Sequence, residues 1–158
     1  MRLRTTMILL LFAATSWGAE LSIDSGSARP SEPAALSVHL SSAAEALTGV
    51  QFDLEYDTAA LDVSVEIGPS ANQAGKTLQT AHPSNSGQRV LIVGFNRNNL
   101  SDGVIAVLHV SVKANHGTAG NYPIRLTGLA GTNASAESIA VTGREANLRV
   151  PPVRIPTR

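Results

Sequence analysis

Two carboxylates lie two residues apart in the most regular segment of the chain, where they could perform acid–base chemistry. These are Asp53 and Glu55, and their neighbours Phe52, Leu54 and Tyr56 are apolar or aromatic. In a β-strand, residues two apart point to the same face and lie about 7 Å apart. Paired carboxylates at roughly this spacing cleave glycosidic bonds in glycoside hydrolases.

The sequence context of this pair argues against catalysis. Catalytic carboxylates normally face each other across a cleft, and the general acid needs an apolar pocket that raises its pKa. Asp53 and Glu55 instead share the polar phase of one strand, where no aromatic residue accompanies them. Spacing cannot establish a serine–histidine–aspartate arrangement either, because such triads are spatial. We therefore predict that the protein is not an enzyme and has no catalytic residues.

Histidines are the other residues with which the chain could bind a metal or act as a base. There are four of them, at His39, His82, His109 and His116, and none lies two or four positions from a second ligand-type residue. A zinc site requires several nitrogen or sulfur donors that converge on the ion. We predict solvated histidines, with no metal site and no cofactor of the chain's own.

Phosphate-bearing ligands are not expected either. The segment 70–77 resembles a phosphate-binding loop, but serine replaces its first glycine and no helix-forming segment follows it. Without a helix N-terminus such a loop lacks its anion site. The chain has 12 basic and 12 acidic residues and no basic stripe, so we do not predict nucleic-acid binding.

The N-terminus has the three parts of a secretory signal peptide. Arg2 and Arg4 precede an apolar run over residues 7–14, and small residues stand three and one positions before Ala19. We predict cleavage after residue 18 and a secreted protein, extracellular or periplasmic. The run is shorter than the roughly 20 apolar residues of a membrane span, so no stable membrane anchor is expected after cleavage. An uncleaved N-terminal anchor is the alternative.

The rest of the chain is predicted to form one domain. Removal of the signal peptide, residues 1–18, leaves 140 residues, of which 10 are basic and 12 acidic. We place the domain at residues 19–150 and interpret residues 151–158 as an extended, proline-rich tail. The chain has no cysteine, and a domain of this size can bury enough apolar surface to fold without disulfides.

Period-two alternation of apolar and polar residues recurs along this domain and predicts an all-β fold. The clearest predicted strands span residues 50–56, 61–67, 90–95 and 104–112. Weaker ones are predicted at residues 19–23, 36–40, 76–81, 124–126 and 148–150. Residues 41–47 alone have a helical composition, and they are too few to form a layer. Short strands at this spacing favour a β-sandwich.

The segment 90–95 has apolar side chains in both phases. Leu91, Val93 and Phe95 form the larger set, which we predict to face the core. Val90 and Ile92 would then lie on the outer face of the sheet. Such an apolar outer face is either shielded by long neighbouring side chains or serves as a docking surface.

Few aromatic residues are available to stack on sugars. The single tryptophan lies within the signal peptide, and Phe52, Tyr56 and Phe95 fall in the predicted buried phases. Tyr122 is then the one aromatic side chain left for such a role. Because carbohydrate-binding faces need exposed aromatic or planar groups, direct polysaccharide binding is disfavoured.

Several segments, in order along the chain, resemble those of the cohesin domain family. The most recognisable is 49–63, a strand that ends in Tyr56 and Asp57 and is followed by Leu61. The other matching segments are residues 21–30, 89–95, 103–112 and 147–150. The order and spacing of these segments carry the resemblance, which covers nearly the whole mature chain.

This resemblance implies a nine-stranded β-sandwich of jelly-roll topology and a non-catalytic function. It also implies calcium-dependent binding of a dockerin-bearing protein, with the calcium held by the dockerin. One sheet face, including the strands at Gln51 and Ile92, would contact the dockerin helices. Cellulosomal cohesins often carry Asn and Asp near the positions that Gly49 and Gln51 occupy here.

The predicted partner-binding residues combine this resemblance with the outer phases of the strands. Carboxylates at Asp53 and Glu55 would attract a basic partner, mainly by accelerating its association. The full predicted set is Gly49, Gln51, Asp53, Glu55, His82, Val90, Ile92, Gly94 and Arg97.

The leading hypothesis is therefore an exported protein–protein interaction module that acts in extracellular polysaccharide degradation, where the wider assembly binds the carbohydrate. A structural module of an envelope or pilus-associated assembly is the first alternative. Direct binding of a polysaccharide is the second, although the shortage of exposed aromatic residues disfavours it.

Overall fold

The computed structural model describes residues 18–30, 32–43, 45–84, 87–114 and 118–152. In chain order the strands are β1 (Ala19–Ile23), β2 (Gly26–Ser27), β3 (Ala34–Ser41), β4 (Gly49–Glu55), β5 (Leu61–Ile67), β6 (Thr77–Ser84), β7 (Gly87–Val93), β8 (Gly103–Val112), β9 (Gly120–Thr132), β10 (Ser138–Ile139), β11 (Val141–Arg144) and β12 (Ala146–Val150). One short helix, α1 (Pro69–Gln73), lies between β5 and β6.

The strands form two sheets around a common core. The first sheet has the order β11–β1–β3–β8–β5, and the second has the order β2–β12–β9–β4–β7–β6, with β10 paired to β9. Neighbouring strands are antiparallel, except that β1 with β11 and β12 with β2 are parallel. The predicted all-β sandwich is confirmed. The described strands outnumber the predicted nine because β2, β10 and β11 are short additional segments of two to four residues.

The core follows from the alternation within each strand. In β4, Val50, Phe52 and Leu54 are buried, whereas Gln51 and Asp53 are only partly so. Phe52 is the largest fully buried side chain in the described part of the chain. The same core cluster takes apolar residues from the first sheet, including Leu21, Val38, Leu61, Leu108 and Val110.

The phase of β7 is opposite to the predicted one. Val90 and Ile92 are fully buried, Leu91 is partly exposed, and Phe95 is fully exposed. The outward placement of Val90 and Ile92 is therefore wrong. Arg89 supplies the physical reason, because it shares the phase of Leu91 and a buried guanidinium would cost more than a half-exposed leucine. Phe95 lies beyond the end of the strand and adds nothing to its buried phase.

Helix α1 was not predicted from the sequence. Pro69 begins it, consistent with the preference of proline for the first helical turn. Ala71 is buried, and the turn ends at Gly75, whose φ of 70° favours glycine. The described residues of segment 41–47 form no helix, so the helical composition of that segment is misleading.

Some predictions concern residues outside the described ranges. They include the signal peptide up to residue 17, His116, and residues 153–158 of the tail. Across the residues that the structure does describe, no helix has the length and apolar character needed to span a membrane.

Candidate functional site

An apolar stripe runs along the outer face of β7. Leu91 and Val93 are half-buried, and Phe95, just past the end of the strand, is fully exposed. We name Leu91, Val93 and Phe95 the β7 stripe. Phe95 is the one exposed large hydrophobic side chain in the described ranges. An uncovered apolar surface of this kind is typical of a protein interaction site.

Uncharged polar residues flank the β7 stripe. Leu91 lies between Gln51 of β4 and Gln79 of β6 in the sheet register. Val93 lies opposite Thr77, whose hydroxyl donates a hydrogen bond to the carbonyl of Val93 at 3.1 Å. The two amides can both donate and accept hydrogen bonds without carrying charge. This part of the face therefore suits a partner surface that is apolar with neutral polar groups.

A shallow depression of about 160 Å³ lies beside the β7 stripe. Its lining residues are Gly49, Val50, Gln51, Leu91, Val93, Ala130 and Thr132. Glycine at position 49 matters, because a Cβ there would lie 3.1 Å from Thr132 Oγ1 and 3.2 Å from Val93 Cγ1. Ligand pockets usually measure about 300–1,000 Å³, so this depression suits one partner side chain better than a small molecule.

Asp53 forms a two-pronged ion pair with Arg89 on the neighbouring strand. The Nε of Arg89 donates to Asp53 Oδ1 at 2.7 Å and its Nη2 donates to Oδ2 at 2.8 Å. These hydrogen bonds and the guanidinium charge hold the pKa of Asp53 below its ordinary value of 3.8, against an opposing effect of burial. The negative charge of Asp53 is thus already compensated by Arg89 on the same face. The expectation that it is available to attract a basic partner is not supported by this pairing.

The position of this ion pair depends on an irregularity in β9. The register between β4 and β9 shifts after Gln51, and Gly128 has a φ of 55°. A Cβ at Gly128 would lie 2.7 Å from Asp53 Oδ2. Glycine therefore permits both the backbone conformation and the close approach of the carboxylate.

Replacement of Asp53 by asparagine should weaken the domain at neutral pH but not in acid. The ion pair is partly exposed, so we expect the free energy of unfolding to fall by less than about 1 kcal/mol. Because folding lowers the pKa of Asp53, its contribution is present above pH 3.8 and is lost as the pH falls through the folded-state pKa. Urea titrations of the wild type and of Asp53→Asn, at a series of pH values from neutral into acid, would measure the difference in the free energy of unfolding. A difference in stability that stays constant at the lowest pH would contradict the assignment.

The other charged residues near β4 are only partly paired. Thr127 Oγ1 donates to Glu55 Oε1 at 2.9 Å, and Arg125 Nε donates to Glu145 Oε2 at 3.0 Å. Both pairs are exposed and lie on the β9 side of β4. Glu55 accepts its hydrogen bond from a neutral hydroxyl and forms no ion pair among the described residues, so it leaves one uncompensated negative charge on the β9 side, away from the apolar β7 stripe.

Of the predicted site residues, several are brought together on one face. Gly49 and Gln51 lie at the depression, and Asp53 and Glu55 follow along β4. Gly94 and Arg97 lie in the loop after β7, where Arg97 is exposed. At Gly94 a Cβ would come within 2.9 Å of the Gly75 carbonyl oxygen. Val90 and Ile92 do not belong to this face, because both point into the core.

His82 lies apart from the other predicted residues. It is exposed near the end of β6 and lines a depression of about 440 Å³ with Tyr56, Asp62, Lys113 and others. Within that depression Lys113 Nζ donates to the carbonyl of Thr58 at 2.8 Å and lies 3.2 Å from Asp62 Oδ1. The depression shares no lining residue with the one beside the β7 stripe.

Two further histidines form exposed pairs with carboxylates. His39 lies 3.1 Å from Asp24 and His109 lies 3.0 Å from Glu66. No group of three or more metal-ligating side chains occurs within the described ranges.

Leu91, Val93 and Phe95 are the functional candidates that sequence reasoning missed. The signal that identifies them is Arg89, because an arginine in the same strand phase marks that phase as the solvent side. Gln88 makes this signal ambiguous, because it is a polar residue in the opposite phase of the strand. It shares the buried phase and is only 4% exposed.

A comparison with family models places the described domain in a known sequence class. The model for the cohesin domain matches residues 19–143. No curated protein sequence matches the chain.

Solved cohesin structures have the same fold. The sixth cohesin of scaffoldin B from Acetivibrio cellulolyticus, solved with a mutant dockerin, has a TM-score of 0.72 and 19% identity, covering 84% of this chain and 99% of the other. An OlpC cohesin–dockerin complex from Clostridium thermocellum has a TM-score of 0.74 and 15% identity, covering 90% and 99%.

A third solved structure is a non-cellulosomal cohesin from the archaeon Archaeoglobus fulgidus. Its TM-score is 0.69 at 17% identity, and the match covers 84% of this chain and 91% of that one. At identities this low the similarity establishes the fold, with its jelly-roll topology, and leaves the partner to be argued from the face itself.

Proposed function

The chain belongs to the cohesin domain family, and from this premise we propose that it is a non-catalytic module that binds a dockerin-type partner through the outer face of β4, β7 and β6. The observation that carries the proposal is the β7 stripe, an uncovered apolar row beside which Asp53 and Arg89 are paired with each other. Dockerin-bound cohesins among the solved relatives support the choice of partner.

The chemistry of the face defines the partner surface that would fit. A dockerin helix with an apolar side could cover Leu91 and Val93, while Phe95 fills a pocket in the partner. Amides at Gln51 and Gln79 would satisfy neutral polar groups at the edge of that contact. The calcium in this proposal belongs to the partner, where it would hold the dockerin in its folded form.

We place this binding outside the cytoplasm, in an exported assembly that degrades polysaccharide. The support is the sequence pattern of residues 1–18, which is typical of a signal peptide. In this proposal the assembly's other modules bind the carbohydrate, and this domain connects them through the dockerin contact.

Direct polysaccharide binding remains a second candidate because of one observation. Phe95 is fully exposed, although sequence reasoning placed it in the core. An exposed ring can stack on a pyranose face. Affinity electrophoresis on cellulose and related glucans distinguishes the two, since the dockerin proposal predicts no retardation of the isolated domain.

The dockerin proposal predicts binding that needs calcium but depends only weakly on salt. The probes are calcium-loaded dockerin modules encoded in the same genome, titrated calorimetrically with and without a chelator. Because the centre of the proposed contact is apolar and its neighbours Gln51 and Gln79 carry no charge, we expect the affinity to change less than about threefold between low salt and 0.5 M sodium chloride. Binding that survives chelation, or that collapses with salt, would contradict this mode of recognition.

A further inference from the structure

A polar cluster joins the loop after β7 to the end of α1. Lys76 Nζ donates to Asn96 Oδ1 at 2.9 Å and to the Asn96 carbonyl at 3.3 Å. Asn96 Nδ2 donates to the Gly75 carbonyl at 2.9 Å, and Asn98 Nδ2 donates to the Ala74 carbonyl at 3.1 Å. We name Lys76, Asn96 and Asn98 the amide clamp. These four hydrogen bonds link three consecutive residues, Ala74, Gly75 and Lys76, to the loop that carries Phe95.

The lysine of this clamp is in an unfavourable environment. Lys76 is only 4% exposed, and burial lowers the pKa of its ammonium group. It forms no ion pair with a carboxylate of the described residues. A buried charge is costly unless hydrogen bonds compensate for its lost hydration. An apolar side chain of similar length would fill the same space without that cost, but it could not donate the two hydrogen bonds that Lys76 makes to Asn96.

The backbones on the two sides of the clamp approach each other closely. A Cβ at Gly75 would lie 2.9 Å from Asn96 Nδ2, and a Cβ at Gly94 would lie 2.9 Å from the Gly75 carbonyl oxygen. Asn96 Oδ1 also accepts a hydrogen bond from the backbone N–H of Asn98 at 3.1 Å. The residues on both sides of Phe95 are therefore fixed, while its ring extends into solvent.

We propose that Lys76 is a positioning residue that holds Phe95 as a preorganised anchor for the protein partner. The inference rests on the proposed function and adds the contacts that position Phe95 for binding the partner. A loop backbone held in its bound conformation before association loses less conformational entropy on binding, even though the Phe95 ring itself extends into solvent. Buried aromatic anchors at interfaces carry a large share of the binding energy.

A double-mutant cycle tests this role with the dockerin probes described above. In the presence of Phe95, we expect Lys76→Met to weaken binding about tenfold, mainly through faster dissociation. In a Phe95→Ala background the same substitution should change the affinity less than about twofold, because the anchor that Lys76 positions is gone. Equal losses in both backgrounds, or no loss in either, would overturn the proposal.

Lys113→Met is the matched control. Lys113 is partly buried and, like Lys76, donates to a backbone carbonyl, that of Thr58. It differs in that it also pairs with Asp62, and it lines the separate depression near His82. The proposal requires that this variant bind the partner like the wild type. A comparable loss from Lys113→Met would show that the effect of Lys76→Met reflects general destabilisation.

A measurement without any partner separates failure of this inference from failure of the proposed function. Backbone amide relaxation of residues 95–98 should report order parameters of about 0.85 in the wild type and below about 0.6 in Lys76→Met. If no dockerin binds the wild type, the proposed function fails, whereas unchanged order in Lys76→Met would overturn the clamp itself. Should Lys76→Met not fold, the milder Asn98→Ala must loosen the same residues, and unchanged order there contradicts the inference equally.

Discussion

We expect Ile92→Asp to unfold the domain, whereas Leu91→Asp, at the adjacent residue of β7, should leave it folded. Ile92 is fully buried within the core, and its neighbour in the sheet register is Val50, also buried. A carboxylate there would be buried without a partner and would leave a cavity as well. Leu91 is half-exposed between two glutamines, so an aspartate there remains hydrated.

The expected difference in stability is large. We expect Ile92→Asp to lower the free energy of unfolding by more than about 4 kcal/mol, a large share of the stability of a typical domain. Leu91→Asp should lower it by about 1 kcal/mol or less, because it removes only partly buried apolar area. Urea denaturation followed by circular dichroism measures both. A folded Ile92→Asp protein, or an unfolded Leu91→Asp protein, would contradict the observed phase of β7.

The second large effect is expected in the affinity for the partner. Leu91→Asp and Phe95→Asp should each reduce the affinity for a calcium-loaded dockerin more than about 100-fold. Each places an unpaired charge in the apolar centre of the proposed contact, where hot-spot residues cost 2 kcal/mol or more when removed. Because Leu91 and Phe95 lie outside the core, we expect the loss to occur in a folded protein, and urea denaturation of both variants checks this.

Val107→Asp is the control for that experiment. Val107 lies on β8, half-buried and opposite Ser37 and Glu66 on the outer face of the other sheet. The same substitution there introduces the same charge at a similar degree of exposure, and we expect it to leave the affinity within about twofold of the wild type. If Val107→Asp reduced the affinity as much as Leu91→Asp, the assignment of the contact to the outer face of β7 would be wrong.

The period-two pattern of β4 is sufficient to predict the fold class and the inner face. Phe52 and Leu54 are buried and Asp53 is not, as their alternation indicates, because a strand in a sandwich has one face towards the core. The same reasoning predicted β5 and the run of β8 from Ala106 onwards. At the start of β8 the register with β3 shifts, and Ile105 is buried whereas Val104 is partly exposed. Each of these strands has polar residues in one phase only, so the pattern admits a single interpretation.

The phase of β7 could not be read in this way, because both of its phases are apolar. Counting Phe95 as a strand residue tipped the comparison towards the wrong phase, although the strand ends at Val93. Arg89 was the more reliable indicator, since its guanidinium requires water or a charged partner. Its actual partner, Asp53, is 36 residues away in sequence, and only the register of β4 with β7 brings the two together.

The amide clamp was likewise invisible in the sequence. The pattern predicts that Lys76 begins a weak strand and assigns Asn96 to no element, and nothing in their spacing joins them. The contact between them depends on α1, a five-residue helix whose composition carries no periodic signal. Side chains that meet through such a short, irregular element are beyond pattern-based prediction.

Hydrogen-exchange protection on addition of a calcium-loaded dockerin tests the central claim most directly. The claim predicts new protection at the amides of β6, β7 and the loop at residues 94–99, with none on β3 and β8 of the other sheet. In the Leu91→Asp protein we expect that protection to be absent, while the amides of the core strands remain protected from exchange. Protection that appears on β3 and β8 instead, or no protection with any dockerin of the same genome, would contradict the assignment of this face as a dockerin-binding surface.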